Sequence, residues 1–244
     1  MRLDKFIVES GLASRTEIAK AARNGAITIN GVVVRRASNH IDPTIDVVTY
    51  CGKPVIYREF TYIMLNKPEG YVSATDDALS PTVLTLLPDE LQKIGLFPCG
   101  RLDKNTLGLM ILTNNGPLAH KLLAPKNHVS KKYRFNVKFP INQDDVTALE
   151  GGVDIGGYVT APCKVEMIGE KEGYITLTEG KYHQIKLMAE AVHNQITYLE
   201  RVTFGPISLD ETLERGQWRH LTEDEQEQLE SRGRSIPTSN SKEK

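Results

Sequence analysis

Leu109-Met110-Ile111-Leu112 is a continuous apolar run, closed on one side by Gly108 and on the other by Thr113-Asn114-Asn115-Gly116. A short apolar run bounded by turn formers suits a strand buried inside a fold. Such a strand would hold the segment before it rigidly. That segment, Gly100-Arg101-Leu102-Asp103-Lys104-Asn105-Thr106-Leu107, carries a carboxylate. A nucleophile or general base is often placed where Asp103 stands, at the mouth of a buried strand. An isolated aspartate near asparagine and glycine more often caps a turn, so the segment alone leaves both readings open.

The 244 residues allow one large domain or two unequal ones with a real core. No apolar stretch approaches the roughly 18 residues of a membrane span. The opening Met1-Arg2-Leu3-Asp4-Lys5 has no signal-peptide core behind it. Cys51, Cys99 and Cys163 are odd in number and scattered, without a disulfide framework or zinc-ligand spacing, which reads as a reducing cytoplasm. A net charge of −1 conceals an asymmetry. Residues 1–58 hold nine Lys and Arg against five Asp and Glu, a balance of +4, which leaves −5 for the remainder. Basic charge gathered in one small module suits phosphate contact. Any one of those residues taken singly reads as a solvated surface charge.

Residues 1–58 read as a compact unit. Leu3, Phe6 and Ile7 share one face of a short helix that Gly11 can end. Ser14-Arg15-Thr16-Glu17 forms a capping box, and Ile18, Ala21 and Ala22 supply the buried face of the helix it opens. Asn30-Gly31 between Ile27-Thr28-Ile29 and Val32-Val33-Val34 is a type I′ hairpin signal. Arg2, Lys5, Arg15, Lys20, Arg23, Arg35 and Arg36 are spread over these elements as a candidate RNA-binding face.

Residues 59–232 form the expected larger domain. Tyr62-Ile63-Met64-Leu65 reads as a strand and Asn66-Lys67-Pro68-Glu69-Gly70 as the tight loop leaving it. Pro117 marks a helix start. Tyr133, Phe135, Val137 and Phe139 alternate with polar residues as in a half-buried strand. Asp144 can cap a helix that stops at Gly151-Gly152. Further strands are expected at 161–168, 174–178 and 196–204, with a helix carrying Ile185, Met188, Ala189 and Val192 on one face. The succession predicts an α+β fold with a mixed, mainly antiparallel sheet. The polar end, Ser231 to Lys244, reads as disordered, with the tail itself set at 233–244. No Walker loop, dinucleotide fingerprint or metal-ligand spacing occurs, so no cofactor or metal is expected.

Two resemblances sharpen these readings. Arg2-Leu3-Asp4-Lys5, Ser14-Arg15 and Gly25-Ala26-Ile27-Thr28-Ile29-Asn30-Gly31 resemble an S4 domain, a small RNA-binding module. Gly100-Arg101-Leu102-Asp103 with Thr106-Leu107-Gly108-Leu109 resembles the catalytic motif of the ribosomal RNA pseudouridine synthases. Asn66-Lys67-Pro68-Glu69-Gly70, Lys131-Lys132-Tyr133 and His183-Gln184-Ile185-Lys186 match that family's other motifs in its order.

The resemblance implies that Asp103 is the essential carboxylate, Tyr133 the platform on which a flipped base stacks, and Lys186 the cation that keeps the aspartate ionised. Periodicity alone would put Tyr133 in the core. Lys131 and Arg101 are implied as RNA contacts, Arg101 filling the space vacated by the base; a plain salt bridge is the equal alternative for Arg101. His183 is expected to pack or support, not to transfer protons. Leu187 and His193 depart from the family pattern, the latter standing where glycine is expected. Within the family, residues 64–73 and 179–188 most resemble the branch acting on one uridine of 16S rRNA, conventionally nucleotide 516. The implied partner is 16S rRNA, free or in a partly assembled small subunit, with the protein a monomer. The rivals are a 23S rRNA synthase and a non-catalytic rRNA-binding assembly factor.

Overall fold

The computed structural model describes residues 1–234. The chain divides into two compact units, one comprising Met1–Thr61 with Leu87–Leu96 and the other Tyr62–Leu86 with the chain from Phe97 onward. The first unit thus extends past the expected boundary at residue 58 and takes in a stretch expected in the second.

In the first unit, helices α1 (Leu3–Glu9) and α2 (Arg15–Arg23) precede strands β1 (Ile27–Ile29), β2 (Val32–Val33), β3 (Val48–Tyr50) and β4 (Lys53–Pro54). Its later segment holds the short helix α3 (Asp89–Gln92). The capping box forms as the sequence requires: Ser14 accepts from the Glu17 backbone N–H while Glu17 receives the Ser14 N–H. Apolar faces of α1 and α2 meet β1 and β3 in a core of Leu3, Phe6, Ile7, Ile18, Ile27 and Val48. The four strands run in the order β2-β1-β3-β4. Both residues of the Asn30-Gly31 turn have positive φ, as a type I′ hairpin demands.

The second unit is built on a nine-stranded sheet. Its strands are β5 (Tyr62–Lys67), β6 (Phe97–Pro98), β7 (Leu107–Thr113), β8 (Lys131–Val137), β9 (Lys164–Met167), β10 (Glu172–Leu177), β11 (Ile196–Phe204), β12 (Ile207–Ser208) and β13 (Trp218–His220). Helices α4 (Gly116–Leu123), α5 (Gln143–Gly151), α6 (Gln184–Ala191) and α7 (Glu223–Arg234) are interspersed. The main path is β13-β5-β7-β11-β8-β10-β9, antiparallel throughout except where β7 meets β11 in parallel. Leu109 to Leu112 have no exposed surface, as expected for a strand inside the sheet. No helix among the described residues is long and apolar enough to cross a membrane.

Four local expectations are corrected. Asn66 and Lys67 belong to β5, so the loop starts only at Pro68. The cap of α5 is Asn142, which accepts from the Asp145 N–H, and not Asp144. Phe139 lies beyond β8 and is exposed. The polar segment from Ser231 continues α7 to Arg234, because Leu229 is buried in the core and Glu230 accepts from the Tyr62 hydroxyl at 2.9 Å. The remainder of the expected tail, 235–244, lies outside the described residues.

The parallel crossing constrains sequence most tightly at Gly108, opposite Arg201. Its φ is +93°, and a Cβ there would stand 2.3 Å from the Arg201 carbonyl oxygen. Backbone cannot retreat from that approach without breaking the strand pair. Gly108→Ala is therefore expected to lose at least about 3 kcal/mol of stability, read by urea unfolding. A loss under about 1 kcal/mol, the ordinary glycine-to-alanine range, would contradict this packing.

Candidate active site

The loop between β6 and β7 is held from beneath by Lys67. This side chain has no exposed surface, and its ammonium donates to the carbonyls of Pro68, Lys104 and Thr106 at 3.1, 3.2 and 2.9 Å. Three acceptors use all three ammonium hydrogens. The Gly70 N–H adds a bond to the Lys104 carbonyl, and the Thr106 N–H closes a turn onto the Asp103 carbonyl. Ser73 completes the frame: its hydroxyl donates to the Leu102 carbonyl at 2.7 Å and accepts the Leu102 N–H at 3.0 Å. Burial pushes the Lys67 ammonium down to about 8, against the pull of the nearby Asp103 carboxylate.

From this frame the Asp103 carboxylate meets the start of α6. Lys186 Nζ stands 2.5 Å from Asp103 Oδ2 and donates also to Asn105 Oδ1 at 2.6 Å. His183 Nε2 lies 3.6 Å from Asp103 Oδ1. His183 has positive φ, immediately ahead of α6, and its ring stacks on Tyr182 with centroids 3.8 Å apart. Glu179 anchors the approach to the helix, accepting from Tyr158 Oη, the Ala161 N–H and Gln184 Nε2. Burial raises its pKa, but these hydrogen bonds outweigh burial and the net direction is down. At the far end of α6, His193 also has positive φ, the physical reason a glycine is expected there.

Asp103, Tyr133, Lys186, Arg101 and Lys131 all line one cleft of about 1020 Å³. Residues expected on three separate motifs are thereby brought together. Tyr133 is buried, as its periodicity predicts, and also lines the cleft. Its hydroxyl has no hydrogen bond within the described residues. Arg101 is exposed and forms no ion pair among the described residues. Leu187 does not line the cleft. In the first unit, Arg2, Lys5, Arg15, Lys20, Arg23, Arg35 and Arg36 are all exposed. Arg2 is paired with Asp4 at 2.7 Å and Lys5 with Glu9 at 3.6 Å, while Arg23 donates to the Ala19 carbonyl and Arg35 to the Arg23 carbonyl, so those four are partly committed.

Asn105 and Arg201 escape sequence reasoning. Asn105 sits inside a recognisable motif, as does His183, which is expected to pack or support, but only the fold shows that both approach Asp103. Arg201, on β11, is buried and lines the cleft, although it lies far from the Asp103 loop in sequence. The signal for it is a charged Glu200-Arg201 pair inside a strand that otherwise reads as apolar. Among the described residues, no group of three or more His, Cys, Asp and Glu is placed to hold a metal ion.

Comparison with known proteins gives a consistent result. Residues 61–191 match the RNA pseudouridylate synthase family and residues 1–44 the S4 domain. The chain is 48% identical to a protein of Bacillus subtilis named as an uncharacterized RNA pseudouridine synthase, over 92% of this chain and 96% of that one. It is 38% identical to ribosomal small subunit pseudouridine synthase A of Escherichia coli, over 92% and 98%. A crystal structure of a pseudouridylate synthase superposes with a TM-score of 0.67 at 35% identity, covering 94% of this chain and 99% of that one.

Lys67 has a pH signature. Its folded pKa, about 8, lies below its ordinary value of 10.5. Between those values the unfolded chain holds a proton that the folded chain lacks, so this group makes the fold more stable as pH rises through that window. The stability of wild type relative to Lys67→Met is expected to increase from about pH 7.5 to about pH 9.5 in urea unfolding. A difference that stays flat or falls would mean that Lys67 is not buried as a depressed cation.

Proposed function

The chain belongs to the RNA pseudouridylate synthases and carries an S4 domain, and we propose that it isomerises one uridine of small-subunit ribosomal RNA, nucleotide 516 of 16S rRNA, to pseudouridine. The observation that carries this reading is the Asp103–Lys186 pair in the cleft, a carboxylate held by its own cation beside a buried aromatic ring. Relatives at 37% and 38% identity over 92% of the chain are named as small-subunit synthases, which favours 16S over 23S rRNA.

The reaction breaks the bond between N1 of uracil and C1′ of the ribose, turns the base, and joins C5 to C1′. C5 loses its hydrogen and N1 ends protonated, so atoms balance without oxidant, reductant or leaving group. Asp103 is the carboxylate on which this cleavage and rejoining depend. Lys186, 2.5 Å away, balances its charge, so that a carboxylate can enter a closed site with the base. Asn105 shares the Lys186 ammonium and fixes its direction.

Tyr133 offers a ring face to the extruded base, an interaction worth roughly 1–3 kcal/mol. Flipping costs a few kcal/mol of unstacking. Arg101, exposed at the cleft, is placed to stack and hydrogen-bond in the vacated space. The surface cations of the S4 domain hold RNA through phosphates, which gives affinity without sequence information. A ribosomal substrate puts this work in the cytoplasm.

Tritium release from 5-tritiated uridine tests the reaction and the target together. Wild type is expected to release one equivalent from 16S rRNA, presented as free transcript and as partly assembled small subunits. Asp103→Asn is expected to release none while binding RNA within about twofold of wild type, because shape is kept and only the charge is removed. Release from 23S rRNA alone would overturn the choice of substrate, and substantial turnover by Asp103→Asn would overturn the choice of carboxylate.

The role of the S4 domain is read from salt. Replacing Arg15, Lys20 and Arg23 together by glutamine should flatten the dependence of log affinity on log salt by about 0.7–0.9 for each phosphate that is no longer neutralised. An unchanged slope would remove α2 from the RNA-binding face.

A further inference from the structure

Arg201 is an electrostatic anomaly. It is 1% exposed and lies over the Phe204 ring, 5.2 Å from its centroid. Its Nε donates to the Leu109 carbonyl at 2.8 Å and its Nη2 faces the Met110 sulfur at 3.9 Å. Nη1 makes no hydrogen bond within the described residues, and no carboxylate there lies within ion-pair distance of the guanidinium. An arginine cannot shed its proton to escape the cost. A buried charge without an anion is costly to hold, and a ring face offsets only part of that cost.

The neighbours deepen the anomaly. Lys131 is half-buried, and among the described residues its ammonium donates only to the Val129 carbonyl, at 2.8 Å. Burial first, and Arg201 second, hold its pKa below the ordinary value. Cys99 is close enough to feel both cations, but burial pushes its thiol up to about 11, so it supplies no negative charge near neutrality. Glu179, which lines the same cleft, pulls the other way on Lys131, but among the described residues no carboxylate forms an ion pair with either cation.

Their placement follows from the sheet. Gly108, Arg201, Tyr133 and Ile175 stand opposite one another across β7, β11, β8 and β10, and so share one face. Lys131 is two residues from Tyr133 on the same face. Gly100 adjoins the guanidinium: a Cβ there would make van der Waals contact with Arg201 Nη1, at 3.8 Å. All of these except Gly108 and Ile175 line the cleft that holds Asp103.

We propose that Arg201 and Lys131 form a phosphate subsite in the wall of the cleft, which takes one backbone phosphodiester of the RNA whose uridine lies against Asp103. The inference rests on the reading of this cleft as an RNA site and adds the group that orients the strand within it. An arginine fork and a lysine point charge are the donor types that recognise phosphate oxygens. A single phosphodiester supplies the missing negative charge. The subsite completes only when RNA is present, so its binding energy is directed to the nucleotide in the cleft and not to duplex elsewhere.

The test uses the full chain in two arms. In the first, inorganic phosphate is titrated while the Lys131 ammonium is followed by NMR, assigned with Lys131→Arg. A bound anion raises a neighbouring lysine's pKa, so a saturable upward shift is expected, absent when Arg201→Lys or Arg201→Gln is used in place of wild type. In the second, Asp103→Asn protein binds 16S fragments that each carry one neutral methylphosphonate. One position is expected to cost about tenfold in affinity, the scale of a hydrogen bond to a charged group. With Lys131→Met added, the same position should cost under about twofold, since both changes remove one interaction. Lys131 sits at the end of β8, so this variant keeps the test open should replacement of buried Arg201 prevent folding. A phosphate-dependent shift without tritium release from any rRNA would sustain the subsite and sink the synthase reading. Tritium release with no Lys131 shift and no coupled phosphate position would overturn the subsite and leave the synthase reading standing.

Discussion

The buried ammonium of Lys67 is the contact on which the active-site loop depends. It emerges from a strand with no exposed side chain and spends its three hydrogens on carbonyls of Pro68, Lys104 and Thr106. A loop that carries a reactive carboxylate cannot fold back on itself as a helix or ladder does, so its carbonyls need donors from outside. Lysine supplies three from one atom. The same charge lies behind Asp103 as Lys186 lies before it, so the carboxylate is flanked by cations that differ in purpose. One holds the backbone; the other pairs with the carboxylate itself.

A parallel strand pair inside an antiparallel sheet sets the remaining geometry. β7 follows the Asp103 loop, and β11 runs beside it carrying Arg201. Gly108 lets the two backbones close, and β8 then places Tyr133 opposite Arg201. Helix α6 contributes Lys186 from its first turn, after His183 turns the chain with positive φ. Residues from four segments reach one cleft because the sheet fixes where each points, not because any segment is near another in sequence.

What local sequence can and cannot specify differs from residue to residue. The buried strand at Leu109–Leu112, the capping box at Ser14 and the Asn30-Gly31 turn are local physics, and each appears where the pattern puts it. The Cys51-Gly52 turn has the same positive-φ pair without a legible signal, since cysteine is not a turn former. Lys67 reads as part of a loop because its motif ends in Pro-Glu-Gly; only strand pairing with β7 carries β5 through to that residue. The ion pair of Asp103 and Lys186 is accessible through resemblance alone, as nothing local links positions 83 apart. Arg201 is hidden for a different reason. Period-two alternation assigns a charged residue to the wet face, and Leu199, Glu200 and Arg201 are buried in succession, so β11 has no wet face there.

The cations of this chain therefore fall into two physical classes. Those of the S4 domain stand at the surface and are cheap to hold, and salt screens them readily. They act over distance on any polyanion and raise encounter without choosing a nucleotide. Arg201 is held out of water and Lys131 is half-buried beside it, where a fixed anion meets a lower dielectric and weaker screening. Such a pair contributes little to capture and much to register. Net charge near zero conceals this division: an RNA partner is recognised less by how many cations a protein carries than by which of them have been denied a counter-ion.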